Sequence, residues 1–341
     1  FASIKSKKMN EIRDIVSEIK KGNIKPIYFL MGEEPYYIDK ISDFIEENIL
    51  DEADKGFNQQ VMYGRDSSIE DIVSSAKRYP MMAERQVLII KEAQDLSRNI
   101  EKLVSYAENP QPTTVLVLNY KYKKLDKRKK LHKAIAKSGL IYESKKLYEN
   151  QVSDWIRRVL GGKKYQIEIK AAQMLVEFLG TDLSKISNEL DKLMIILPKE
   201  TIINDKHIED NIGISKDFNN FELRKAVGEK SIVKSNRIIN YFVENPKNNP
   251  LVMTISLLNS FFTQLLLFHG LKDKSKSSVA KTLGVNPYFV DEYFTAARNY
   301  PMRKVAQVIA FLREADLRSK GVGANQTQED ILKELLFKIL H

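Results

Sequence analysis

The stretch that most restricts the fold of this chain is Val87-Leu88-Ile89-Ile90, closed by Lys91-Glu92. Four apolar residues ending abruptly in charge fit a buried strand whose end carries an acidic tip. Strand patterns also occur at Ile27–Met31, Gln60–Tyr63, Thr114–Leu118 and Leu140–Tyr142. Between them, apolar residues recur at helical spacing. One set is Tyr37, Ile38, Ile41, Phe44, Ile45 and Ile49; the next is Ile69, Ile72, Val73 and Ala76. Ile100, Leu103, Val104 and Ala107 form a third, and Leu131, Ile135 and Ala136 a fourth. Short strands alternating with helices predict parallel pairing and a three-layer α/β domain over residues 1–146.

From about Asn150 the pattern becomes helical. Val152–Leu160, Ala171–Leu179 and Leu183–Ile196, punctuated by Gly161-Gly162 and Leu197-Pro198, predict a small helical domain over 147–213. His207–Ile212 adds a last short helix, and Trp155, among Val152, Ile156 and Val159, belongs to the core. A polar link, Ser215–Asn220, leads to an all-helical bundle over 219–341, with Pro287 and Pro301 at helix starts. Its most apolar stretch, Leu251–Leu271, is broken by Thr254, Ser256, Asn259, Ser260, Thr263, Gln264 and His269. It reads as a buried helix and not a membrane span, which needs about 20 apolar residues.

The absence of cysteine excludes disulfides, thiol catalysis and cysteine-based zinc sites, and fits a cytoplasmic protein. The four histidines are scattered, so no metal site is expected. A net charge of +10 suits a polyanionic partner, although solubility alone also accounts for it. Residues 1–8 are polar and basic, lack the apolar centre of a signal peptide, and read as a leader or remnant before Met9.

The first strand is followed by Gly32, where a phosphate-binding loop would begin. Such a loop needs Gly, Lys and Ser or Thr at positions 37 to 39. The chain has Tyr37, Ile38 and Asp39, and at the end of the third strand Lys91 stands where a magnesium-holding aspartate belongs. Glu92, the acidic tip of that strand, has no metal or nucleotide beside it to act on. Asn119 ends the fourth strand pattern and reads as a strand-end cap. The fold is therefore expected to be a degenerate nucleotidase scaffold that binds without cofactor or metal.

Four segments sharpen this reading. They are Pro26–Tyr36 with its Gly-Glu-Glu-Pro turn, Met81–Ile90, Asn286–Val290 with Ala296-Ala297-Arg298 behind it, and Glu314–Gly321. In that order and spacing the chain resembles the bacterial DNA polymerase III delta-subunit family. This is a clamp-loader family of AAA+ architecture, with an α/β domain, a helical lid and a C-terminal collar.

The resemblance implies a subunit that binds the beta sliding clamp and opens its ring for loading onto primed DNA. It would hydrolyse no ATP itself and would assemble with gamma/tau and delta-prime subunits. The family's clamp contact is a pair of apolar residues at a helix tip before the third strand, here Met81-Met82 with Tyr79 and Arg85 beside them. By themselves, two methionines before a strand are more often core than interface. The basic run from Lys121 to Lys133 has Lys123, Lys124, Lys127, Arg128, Lys129 and Lys130 as candidate DNA-phosphate contacts, or is a solvated face. It has few aromatics for base stacking. Alternatives are a basic AAA+-related DNA-binding protein and an active replication ATPase, against which residues 37–39 and 91 argue.

Overall fold

The computed structural model describes residues 12–323 and 326–341, so the reading of residues 1–8 lies outside the described part. Two compact units are present, Phe1–Leu147 and Tyr148–His341. The first opens with helix α1 (residues 12–20) and is built on a five-stranded parallel sheet in the order β2-β3-β4-β1-β5. The strands are β1 (Ile27–Gly32), β2 (Gln59–Tyr63), β3 (Gln86–Lys91), β4 (Thr114–Lys121) and β5 (Leu140–Ser144). All five expected strands are found, and β3 and β4 run further than their apolar cores suggested. Backbone pairing continues through Lys91 and Lys121 because ladder hydrogen bonds do not require apolar side chains.

Alternation of side chains along the strands makes two cores. Phe29 and Met31 of β1, Leu88 and Ile90 of β3, and Leu116 and Leu118 of β4 share one with α4 (Ile69–Ala76) and α6 (Lys130–Ser138). Against the sheet's other strand positions packs α2 (Pro35–Asn48), whose Ile38, Ile41 and Ile45 are fully buried. The short α3 (Glu52–Asn58) leads directly into edge strand β2. The helix expected around Ile100–Ala107 is a 3-10 turn, Ile100–Leu103, followed by α5 (Val104–Glu108). Periodicity placed Ile100, Leu103 and Ala107 correctly in the core but cannot distinguish the two helix types over so few residues.

The second unit is helical apart from a two-residue strand pair, Gln166–Ile167 with Ile202–Ile203, which no sequence pattern signalled. Helices α7 (Glu149–Gly161), α8 (Ile169–Leu179), α9 (Leu183–Ile196) and α10 (Asp205–Ile212) come first, and Trp155 is buried among them. The remaining helices are α11 (Asn220–Gly228), α12 (Ile232–Glu244), α13 (Leu251–Gly270), α14 (Lys276–Leu283), α15 (Val290–Asn299), α16 (Met302–Ser319) and α17 (Gln328–Leu340). Helix α13 is long and apolar enough to cross a membrane by length and composition. Its Phe261, Phe262, Leu265 and Phe268 instead form the middle of the bundle core with Tyr293 and Tyr300.

Arg224 of α11 joins the two groups of helices. Its guanidinium lies 3.3 Å from Glu177 of α8 and 3.2 Å from Glu292 of α15. It also stacks over the rings of Phe221 and Phe289.

Candidate functional site

Helix α4 ends at Ala76, and side chains of β3 and β4 satisfy carbonyls at and just beyond its end. Thr114 Oγ1 donates to the Ala76 carbonyl at 2.8 Å, and Gln86 Nε2 donates to the Arg78 carbonyl at 2.5 Å. Pro80 follows, and the chain between Tyr79 and Arg85 is neither helix nor strand. Met81 and Met82 therefore sit on a loop and not on a helix tip. The helix stops five residues earlier than that expectation required, because the chain turns at Lys77-Arg78 and Pro80 prevents it resuming.

The loop presents its apolar side chains to solvent. Met82 is fully exposed, Met81 is 62 % exposed and Tyr79 is 77 % exposed, while Arg85 is half-buried. Met82 has φ +55°, a left-handed conformation unusual for a side chain of this size. Opposite the loop, Asn58 at the end of α3 uses its amide as a two-point clamp. Its Oδ1 accepts from the Met81 N–H at 2.6 Å, and its Nδ2 donates to the Met81 carbonyl at 2.9 Å. Sequence reasoning missed Asn58 and Gln86. Asparagine at a helix end is a common local signal, and nothing in it discloses a partner 23 residues on.

The position a phosphate would take is built differently. Only Glu33 and Glu34 separate β1 from α2. Gly32 has φ +129°, and a Cβ there would lie 2.0 Å from the Ser144 carbonyl oxygen, so the tight turn requires glycine. Its N–H donates to the Lys123 carbonyl, and the Glu33 N–H donates to the Ser144 carbonyl. Pro35 has no N–H, and the Tyr36 N–H is capped by the Glu34 carboxylate at 3.2 Å. The amides that could cradle an anion are thus spent within the protein, and a carboxylate covers the helix N-terminus, where the dipole would otherwise favour a phosphate.

Charged side chains complete this arrangement. Lys121 Nζ lies 2.9 Å from Asp39 and 2.8 Å from Glu92, and Lys91 pairs with Glu46 at 3.2 Å. Burial disfavours the Lys121 ammonium, but hydrogen bonds to Glu92 and Asp39 outweigh it and hold its pKa above the ordinary lysine value. Burial likewise opposes ionisation of Glu92, and the bonds from Lys121 and Gln94 overcome it, leaving the pKa lowered. Tyr37 and Ile38 are buried in the α2 core, so two of the three residues where a loop would grip phosphate face inward. Among the described residues no cluster of His, Asp and Glu is placed to hold a metal ion.

Asn119 is not a strand-end cap. It lies inside β4, opposite Leu30 of β1, with 1 % exposure, and neither side-chain atom has a hydrogen-bond partner. Pairing of β4 through Lys121 carries the strand past it. Removing a buried polar group that makes no bond relieves its desolvation cost. Asn119→Leu is therefore expected to raise the stability of the first unit by about 1 kcal/mol in urea denaturation.

The basic run is partly neutralised in space. Lys124 pairs with Glu33 and Glu143, Arg128 with Asp126, and Lys123 donates to Ser97 Oγ. Lys127, Lys129 and Lys130 are exposed and make no ion pair among the described residues. Tyr122, exposed and at φ +59°, is an aromatic among these lysines.

Comparison with known proteins accords with this architecture. Residues 28–145 match the family model described as DNA polymerase III, delta subunit, and residues 217–338 match its C-terminal domain. The DNA polymerase III subunit delta of Bacillus subtilis is 26 % identical over 319 residues, covering 90 % of this chain and 91 % of that protein. The subunit delta of Buchnera aphidicola is 26 % identical over 333 residues, covering 93 % and 97 %. Among solved structures, the Bacillus subtilis DNA clamp loader delta protein YqeN is similar with a TM-score of 0.57 and 25 % identity. That match covers 96 % of this chain and 99 % of that one. A parallel α/β unit followed by a helical bundle, matched over nearly its whole length by a clamp-loader delta protein, places the chain among clamp-loader subunits. The chain belongs to the DNA polymerase III delta-subunit family, and so to a multi-subunit assembly of DNA replication.

Proposed function

We propose that this chain binds the beta sliding clamp through Met81 and Met82, flanked by Tyr79 and Arg85, and opens the ring for loading onto primed DNA without hydrolysing ATP. The observation that carries the proposal is the exposed methionine pair on a held loop. Burying a methionine side chain contributes about 1.5–3 kcal/mol, so the pair would be a hot spot within a larger contact. Methionine is flexible and adapts to irregular apolar pockets. The internal pairing of Lys121, Asp39 and Glu92 supports the absence of ATP chemistry. Gamma/tau subunits would supply hydrolysis and, with delta-prime, complete the cytoplasmic assembly. Residues 1–146 would carry clamp binding, 147–213 the lid and 219–341 the oligomerisation collar.

The test is a binding measurement between the purified chain and a beta sliding clamp, with and without ATP-loaded partners. Binding by the isolated chain, with no ATP bound in a parallel titration, is expected. An active ATPase would bind nucleotide; a free-standing DNA-binding protein would ignore the clamp.

A contact between Lys127, Lys129 and Lys130 and DNA phosphates is favoured by their making no ion pair among the described residues. Each change to alanine is then expected to reduce the slope of log affinity against log salt by about one. An unchanged slope in all three variants would leave the run as a solvated surface.

A further inference from the structure

We propose that Asn58 is a positioning residue for the clamp contact, holding the loop so that Met82 stands outward before the partner arrives. The inference rests on the clamp-contact reading of Met81 and Met82. Asn58 is 5 % exposed and is itself fixed by a bond from Nδ2 to the Asp54 carbonyl at 3.2 Å. With the same amide it satisfies both backbone polar groups of Met81. Between Tyr79 and Arg85 no backbone-to-backbone hydrogen bond is made among the described residues. The loop therefore owes its shape at this point to one side chain reaching across from α3.

The next residue, Met82, is held at positive φ, a conformation that costs about 1 kcal/mol or more and persists only where surroundings impose it. Gln86 anchors the loop on the other side through the Arg78 carbonyl. Releasing Met81 would let the segment relax into conformers in which Met82 no longer projects. Apparent affinity falls in proportion to the competent fraction. Asn58 need not touch the partner to act in this way.

The test is a double-mutant cycle with the full chain and a beta sliding clamp. Asn58→Ala is expected to weaken binding about tenfold, mainly by slowing association. Asn58→Asp keeps the acceptor for the Met81 N–H but loses the donor, and is expected to fall between Asn58→Ala and the parent. In a Met82→Ala background the Asn58→Ala penalty should shrink to under about twofold, because the side chain it positions is gone. Thermal unfolding of each variant reports the stability change separately, and Asn58→Asp carries the same cycle should Asn58→Ala not fold. Equal penalties in both backgrounds, or full affinity in a folded Asn58→Ala protein, would overturn the positioning role alone. Unchanged affinity on Met82→Ala would instead overturn the clamp-contact reading, and the positioning role with it.

Discussion

Replacing Met81 and Met82 together by aspartate is expected to reduce binding to the beta sliding clamp by at least about 100-fold while leaving the circular dichroism spectrum and thermal midpoint of the chain unchanged. The two halves of this result have separate causes. Met82 is fully exposed and Met81 largely so, and their side chains contribute little to either core of the α/β unit. The bonds that shape the loop run from Asn58 to the Met81 backbone and do not depend on side-chain identity. The folded chain should tolerate the change. An apolar pocket on a partner should not, because two carboxylates would have to leave water for a site with no cation prepared for them. The pair's own burial amounts to about 3–6 kcal/mol before ordering costs, and unpaired charge adds to the loss. Calorimetry or a surface-binding assay provides the affinity. Binding within a few-fold of the parent would remove the methionines from the contact.

Arg224→Ala is expected to destabilise the helical unit by about 3–5 kcal/mol, the largest stability effect anticipated for one substitution. Arg224 has only 15 % of its side chain exposed, Glu177 7 % and Glu292 19 %, so solvent screens these pairs weakly. Taking away the guanidinium deprives two largely buried carboxylates of their cation and removes its stacking over Phe221 and Phe289. The pH dependence has a definite sign. Burial already raises the pKa of Glu292 above its ordinary value, against the lowering influence of Arg224. Without that influence it rises further. A carboxyl with a raised folded pKa contributes stability that is present below its unfolded pKa and lost as pH rises through the folded one. The difference in thermal midpoint between variant and parent should therefore shrink as pH falls from about 7.5 to about 5. A difference that widens on acidification would mean that the carboxylates find other cations.

Much of this protein was legible in its residues. Runs such as Val87–Ile90 and Thr114–Leu118 identified a parallel sheet because a strand covered on both faces leaves a continuous apolar signature. The absence of a phosphate-loop lysine and hydroxyl after Gly32 was readable directly, since that signature is written in adjacent positions. Trp155 and Phe261, Phe262, Leu265 and Phe268 were correctly expected to be buried.

What the residues did not disclose lies in contacts between distant parts of the chain. Asn58 holding Met81, Lys121 bridging Asp39 and Glu92, and Arg224 between Glu177 and Glu292 each join segments that no local pattern links. The loop under Met82 was mistaken for a helix tip for the same reason: its geometry is imposed from α3 and β3. Amino-acid order by itself determined the layers, the apolar faces and the missing phosphate-loop signature after Gly32, because these follow from periodicity and from which side chains exist. Only the tertiary structure decided which charges neutralise one another and which way the methionines face, because hydrogen bonds and ion pairs depend on distances set by the completed fold.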